Sequence, residues 1–184
     1  MENLDHITKL SQLYRLAIKD QRALMERADV VSASSYFLQK ENDGKDTHCT
    51  ACLAGAVMCG SLNQLEKLDE QEQKIRDDPY NDDVYQIGIT PVQLPSFRDY
   101  ELLSMVDSTR NCHFDVVFSQ AKIMGLLPGC SHISTDKFTR GLRELFTDCL
   151  GPLPYRWQTD DDTNLHLLIE RLERLCDELE DMGL

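Results

Sequence analysis

The sequence has no long apolar run: none approaches the roughly 18 consecutive apolar residues that a membrane-spanning helix needs. Residues 1–5 are acidic and carry no apolar core of the kind found in secretory signals. We therefore expect no membrane span, no membrane partner and a cytoplasmic location. The seven irregularly spaced cysteines agree with this expectation, since free thiols persist in a reducing compartment.

Basic residues are also scarce. The chain has 19 lysines and arginines against 32 aspartates and glutamates, a formal net charge of −13. Nearly all of this excess lies in two segments, 62–83 and 160–184. Because phosphate backbones are bound by basic patches, the composition predicts no direct binding of nucleic acid. The composition favours a basic protein as the partner instead. If that partner itself binds nucleic acid, the acidic chain would bind it by imitating DNA.

Common enzyme motifs are absent as well. The sequence has no Gly-x-x-x-x-Gly-Lys, Gly-x-Gly-x-x-Gly, His-Glu-x-x-His or Gly-x-Ser-x-Gly. Cys112 and His113 are adjacent, and adjacent helical residues point apart, so they make a poor nucleophile–base pair. These absences favour a protein without catalytic activity. A cysteine nucleophile served by a distant histidine stays an open alternative.

The densest run of small residues, 50–59, predicts a short central helix that is buried on all sides. Thr50 can cap its start, and Gly60 can end it in the left-handed conformation. Small residues such as Gly55 would let a neighbouring backbone come close. Because segment 41–46 is polar and turn-forming, we expect the helix to enter the core directly from a surface loop.

Three interpretations of the cysteines near this helix are open. In the first they are small apolar core residues, as free cysteines commonly are. In the second they help to bind zinc, and the candidate metal ligands are His48, Cys49, Cys52, Cys112 and His113, with Cys130 and His132 as further donors. In the third, the Cys49-x-x-Cys52 pair is reactive, since a thiol at a helix N-terminus has a lowered pKa. The last two make a zinc-binding or thiol-dependent enzyme the alternative function; otherwise no cofactor is expected.

The run from Cys49 to Met58, Cys-Thr-Ala-Cys-Leu-Ala-Gly-Ala-Val-Met, resembles a motif in a group of uncharacterised small proteins of bacteriophages and bacteria. Those proteins also place an extended segment before the motif, here residues 30–38. The resemblance spans residues 28–62, about a fifth of the chain, and it carries over no activity and no functional residue. It implies a phage or prophage origin, and with it the cytoplasm of a host cell as the location.

Hydrophobic periodicity predicts a mainly α fold of the α+β class. We expect a single domain, 1–184, built as a helical bundle around the short buried central helix, with minor β elements near 30–38 and 84–94. Further helices are expected in 5–27, in 62–76 with a charged and solvated outer face, in 97–109 after a Ser96 cap, in 114–124, and from about residue 135 to Gly151.

The final segment gives the clearest helical signal. Its leucines recur at three-four spacing and form one stripe, namely Leu165, Leu168, Leu172, Leu175 and Leu179. Two arrangements bury such a stripe: it packs against the first helix of the same chain, or against its own copy in a homodimer.

The predicted partner surface combines an acidic loop, 77–83, with a connector, 152–159, and the acids that follow it. Its candidate residues are Asp77, Asp78, Asp82, Asp83, Tyr155, Arg156, Trp157, Asp160, Asp161 and Asp162. Trp, Tyr and Arg are enriched at binding hot spots. Each part also has a structural interpretation, as a solvent loop, as a segment packed over a core edge, or as acids at the positive end of a helix. The predicted function is a non-enzymatic, phage-type interaction protein that binds and modulates or inhibits a host protein.

Overall fold

The computed structural model describes residues 3–32, 37–44, 46–78, 84–94, 96–128, 137–151 and 162–184. Within these residues the chain is mainly helical with a small sheet, which confirms the predicted fold class. The helices are α1 Leu10–Met25, α2 Leu53–Cys59, α3 Leu65–Arg76, α4 Phe97–Arg110, α5 Phe114–Ile123, α6 Lys137–Leu150 and α7 Asp162–Asp181. The strands are β1 Val31–Ser32, β2 Leu38–Asp43, β3 Thr47–Ala51 and β4 Val84–Ile89, and a 3-10 turn covers Pro91–Gln93. None of the described helices combines the length and the apolar character needed to cross a membrane.

The strands form one mixed sheet in the order β1-β3-β2-β4. Strand β2 lies antiparallel to both β3 and β4, and β1 lies parallel to β3. The turn between β2 and β3 is tight because Gly44 adopts a φ of 85° and donates its N–H to Asn42 Oδ1 at 2.7 Å. The sheet therefore has two edges, β1 with two residues and β4 with six.

One expectation for this region is wrong. Segment 41–46 is not an irregular loop, because its first residues continue β2 and pair with β3 and β4. The β elements predicted near 30–38 and 84–94 are confirmed, since β1 and the start of β2 lie in the first segment and β4 lies in the second. Strand β2 has a polar sequence, so pairing with its neighbours, rather than β-propensity, makes it a strand.

The central helix α2 is buried along its whole length, as predicted, but it begins at Leu53. Thr50 lies in β3 and does not cap it. The cap is Cys52, whose Sγ accepts the N–H of Gly55 at 3.5 Å. The chain therefore enters α2 from a strand and not from a surface loop.

The Phe37 peptide, just before β2, lies against α2 at Gly55. A Cβ on Gly55 would lie 1.3 Å from the Phe37 carbonyl oxygen, which is far inside van der Waals contact. The same oxygen accepts the N–H of Cys52 at 3.2 Å, so the Phe37 peptide is held across the first turn of the helix. The predicted close approach of a backbone to the small residues of α2 is confirmed.

The buried apolar residues of the described segments form one cluster, with an aromatic group where α1, α5 and α6 meet. The Phe146 ring meets the rings of Tyr14, Phe114 and Phe118 edge-on, with centroid distances of 6.0, 5.5 and 5.1 Å. The Tyr14 hydroxyl shares a hydrogen bond of 2.6 Å with Thr109 Oγ1 on α4. One polar contact and three ring contacts thus join four helices.

The first and last helices pack side by side. The leucines of the α7 stripe are at most 1% exposed, and α7 packs against α1 and α6 of the same chain. Ser11 donates its N–H to the Leu184 carbonyl at 3.3 Å, and Arg15 Nε donates to the Glu180 carboxylate at 2.9 Å. The stripe thus uses the first of its two predicted arrangements. A homodimer through the same leucines would require this packing to open.

Helix α4 begins at the predicted Ser96 cap, whose Oγ accepts the Asp99 N–H at 3.3 Å. In a complete capping box Asp99 would bond back to the N–H of Ser96. Its carboxylate accepts the Leu4 N–H at 2.9 Å instead, and Asp99 is buried. This bond ties the segment before α1 to the start of α4.

A matched pair of glycine substitutions tests the contact between α2 and Phe37. Gly55→Ala should destabilise the fold by about 3 kcal/mol, because the overlap can be relieved only by moving backbone. Gly141→Ala is the control: a Cβ there meets no atom within 4 Å, and alanine inside α6 should stabilise by about 0.5–1 kcal/mol. Urea unfolding measures both free energies. Similar values for the two variants would contradict the close approach.

Candidate protein-binding site

Helix α3 carries exposed acids along its outer face. Glu66, Glu70 and Asp77, here named the acidic stripe, are exposed and follow each other at intervals of four and seven residues, so they lie on one side of the helix. The other side buries Leu68 and half-buries Leu65, which fixes α3 on the core. Within the acidic segment that the composition singles out, these three acids therefore form a helix face with its charge turned to solvent.

An open cleft of about 680 Å³ lies beside the first turns of α3. Its lining residues are Gly60, Leu62, Asn63, Gln64, Glu66, Lys67 and Glu70. The Lys67 ammonium donates to Gln64 Oε1 at 2.8 Å. No hydrogen bond or ion pair from the described residues reaches the carboxylates of Glu66 and Glu70. The cleft therefore offers two carboxylates to a ligand, while its lysine is already engaged.

The turn that shapes this cleft is held by a buried carboxylate on α1. Asp20, which is 5% exposed, accepts the Ser61 N–H at 3.1 Å and the Ser61 hydroxyl at 2.7 Å. Gly60 ends α2 as predicted, but its φ of −79° is not left-handed. A Cβ on Gly60 would lie 2.7 Å from the carboxylate carbon of Asp20. Lack of space, rather than a special dihedral angle, therefore requires glycine here.

Another acid of α3, Glu72, is buried against the sheet. Arg76 donates to its Oε1 from Nη2 at 2.7 Å and from Nε at 3.1 Å. The Tyr85 hydroxyl donates to the same oxygen, and the Lys40 ammonium pairs with the other one. These four residues are named the Glu72 junction. Because Lys40 lies on β2 and Tyr85 on β4, the junction fixes α3 to two strands.

The junction controls the ionisation of Glu72. Burial acts to raise the pKa of this carboxyl, but hydrogen bonds from Lys40, Tyr85 and Arg76 outweigh it and lower the pKa to about 2. Such a carboxyl stays ionised near neutral pH, so it is a poor general acid and a poor general base. The role that its geometry supports is to position α3.

The cysteines of the central stretch are buried. Cys49 lies on β3 and Cys59 ends α2, and they are 7% and 6% exposed. Burial raises the pKa of Cys49 to about 11 and that of Cys59 to about 12, which keeps both thiols protonated near neutral pH. Cys52, and not Cys49, stands at the N-terminus of α2, where burial again raises the thiol pKa. The reactive-thiol hypothesis predicts a lowered pKa, and the described geometry gives the opposite direction.

The candidate metal ligands do not converge within the described residues. His48 is exposed and Cys49 is buried, because adjacent residues of a strand point to opposite faces. Cys112 and His113 are both exposed in the turn after α4. Within the described segments, no three side chains of His, Cys, Asp or Glu lie close enough together to bind one metal ion. The zinc hypothesis stays a prediction.

Part of the predicted partner surface lies outside the described residues, together with two candidate zinc donors. These residues are Asp82, Asp83, Tyr155, Arg156, Trp157, Asp160, Asp161, Cys130 and His132. Asp77 and Asp78 are exposed at the end of α3, where the side-chain amide of Gln73 donates to Asp77 at 2.8 Å. Asp162 is the first residue of α7, the position predicted for it at a helix start.

The amino-acid sequence predicts neither the cleft nor the junction. A signal for the stripe exists, since Glu66, Glu70 and Asp77 keep helical spacing, but the same pattern is typical of a solvated face. The junction has no local signal. Lys40 and Tyr85 are far apart in the sequence, and only the pairing of β2 with β4 brings both of them to Glu72.

Comparison with protein-family models, with curated proteins and with solved structures finds no match to this chain. The resemblance of the run from Cys49 to Met58 to a motif of phage and bacterial proteins therefore stays a prediction. The proposed function therefore rests on the charges and contacts of the chain's own described residues.

The low pKa of Glu72 predicts a loss of stability in acid. Since this pKa is about 2 in the folded chain against an ordinary 4.5, the junction contributes its full stability above about pH 4.5 and loses it as the pH falls towards 2. We expect a loss of about 2 kcal/mol over this window, after allowance for screening by solvent. Glu72→Gln should flatten that part of the pH profile, measured by urea unfolding. The exposed Glu178→Gln is the control, and equal profiles for both variants would contradict the role of Glu72.

Burial of the central thiols predicts an order of chemical labelling. Brief treatment of the native chain with iodoacetamide at about pH 8 should alkylate the exposed Cys112 before Cys49, Cys52 or Cys59. Peptide mass mapping measures the order, and the unfolded chain is the control in which the difference disappears. Faster labelling of Cys49 than of Cys112 would favour the thiol-dependent alternative.

Proposed function

We propose that this chain is a non-enzymatic protein-binding protein, and that the acidic stripe with its cleft binds a basic surface of the partner. The observation that supports this most is the pair of exposed carboxylates, Glu66 and Glu70, that line one cleft without a cation from the described residues bonded to them. A lysine or arginine side chain of a partner fits such a site by charge and by hydrogen bonding.

The other acidic segment supports this choice by contrast. On α7, Asp177 and Glu180 pair with Arg15, and Glu173 pairs with Arg22 at 2.8 Å. Both arginines belong to α1, so these three acids of α7 are matched inside the chain. A partner would have to compete with those pairs, whereas the carboxylates of Glu66 and Glu70 accept no hydrogen bond or ion pair from the described residues.

We further propose that the partner is a host protein, that the chain is of phage or prophage type, and that binding inhibits or redirects the host protein. One version makes the chain a mimic of DNA that binds a basic, nucleic-acid-binding protein. Attraction between a net charge of −13 and a basic surface accelerates encounter, and salt screens it over about 8 Å at physiological ionic strength. The DNA-mimic version therefore requires an affinity that falls steeply as salt rises.

Charge reversal tests the proposal with a matched control. Glu66→Lys, Glu70→Lys and Asp77→Lys together reverse the stripe. Glu170→Lys, Glu178→Lys and Asp181→Lys make the same change of net charge on exposed positions of α7. Each tagged chain is purified at low salt from a bacterial host, and native mass spectrometry measures the bound host protein. We expect the stripe variant to lose about 30-fold in affinity, roughly 2 kcal/mol, and the α7 variant to bind nearly as the natural chain does.

Two results would overturn this proposal. If both variants lose binding equally, net charge and not the stripe recruits the partner. If the stripe variant binds normally, the partner surface lies elsewhere. A complex that is equally tight at low and high salt would eliminate the DNA-mimic version and would point to the connector 152–159 rather than to the acidic stripe.

A further inference from the structure

Strand β4 forms an edge of the sheet that the described part of the chain leaves open. It pairs with β2 on one side, and the described residues make no backbone–backbone hydrogen bond to its other side. The opposite edge of the sheet, β1, is only two residues long, which by itself limits further pairing. With six residues, β4 is long enough to pair with another strand.

The sequence of β4 contains none of the usual protections of an edge. Natural edge strands are blunted by charged side chains, proline or bulges. Val84–Ile89 contains no charged residue and no proline, and it is rich in residues that favour β structure. Val84 is 62% exposed. An edge of this kind favours addition of a strand.

We propose that β4 binds an extended segment of a partner protein as an added strand, and that this segment alternates apolar and basic residues. The inference rests on the proposed function, because it names how the same partner binds. Main-chain hydrogen bonds to the open edge would hold the segment, and the two faces of the sheet would select its side chains.

The inner face of the edge selects apolar side chains. Tyr85 and Ile87 are half-buried there beneath α3. The Arg76 guanidinium lies 3.3 Å from the Tyr85 hydroxyl, so a basic side chain next to Tyr85 would meet a like charge. An apolar side chain would instead extend the contact with Ile87.

The outer face selects basic side chains. Gln86 is exposed on this face, and its direct partner on β2 is the exposed Glu41. Strands lie about 4.8 Å apart, so an added strand would stand about 10 Å from β2, within reach of a long lysine or arginine side chain. A second copy of the chain is the weaker occupant, because each copy carries a formal charge of −13 and β4 offers it no basic residue.

A synthetic peptide that alternates lysine and valine tests this inference. Its binding to the whole chain is measured by calorimetry, and amide hydrogen exchange locates it. We expect new protection at the amides of β4 and little elsewhere. The same peptide with N-methyl groups along one edge keeps its charge but cannot pair, and it should bind at least tenfold more weakly. Equal affinity of the two peptides would overturn the proposal.

Two lysine variants of the chain give the matched control. Val84→Lys with Gln86→Lys places like charge directly opposite the lysines of the peptide and should weaken binding at least tenfold. Val31→Lys with Ile123→Lys adds the same charge at exposed positions away from β4 and from Glu41, and should change affinity less than threefold. Equal losses in both variants would show attraction by net charge only and would overturn strand addition.

The remaining outcomes separate this inference from the proposed function. If the stripe variant loses the host protein while the lysine–valine peptide shows no pairing at β4, the edge is not used and the acidic stripe still stands. If the chain without peptide forms a dimer that Val84→Lys with Gln86→Lys dissociates, a second copy occupies the edge and the partner segment is ruled out.

Discussion

The carboxylate of Glu72 is buried between α3 and the sheet, and it accepts hydrogen bonds from both. Breaking a partner away while this charge stays buried is strongly destabilising, so the bonds of Glu72 to Lys40 on β2 and to Tyr85 on β4 hold α3 on the sheet. The same contacts orient β4, which carries Tyr85. Two features that we assign to partner binding, the acidic stripe and the open edge, thus depend on one buried charge.

Acidic residues perform two different tasks in this chain. Asp20, Glu72 and Asp99 are buried and bond to a turn, to the sheet and to the segment before α1. Among the exposed acids of α3, Asp69 pairs with Lys40 on β2 at 2.9 Å, whereas the carboxylates of Glu66 and Glu70 bond to no described residue and leave their charge to solvent. The amino-acid composition counts the buried and the exposed acids together and does not distinguish them. The partners supplied by α1 and by the strands decide which acids are available for binding.

Elements that depend on local signals could be predicted from the sequence. The leucine stripe of α7, the Ser96 cap and the close approach at Gly55 follow from spacing and residue size. Strand β2 could not be predicted, because Gln39, Lys40 and Glu41 have little β-propensity and become a strand through pairing with β3 and β4. The Glu72 junction was hidden for the same reason: its members meet only after that sheet has formed.

Amide hydrogen exchange on Glu72→Gln tests most directly whether this junction supports the proposed site, with the exposed Glu178→Gln as the control. Regions that open locally lose protection before the rest of a protein. We predict that the amides of α3 and β4 lose protection together in Glu72→Gln, while those of α1 and α7 stay protected as in the control. Unchanged exchange in α3 and β4, or an equal loss along the whole chain, would contradict the central role of the junction.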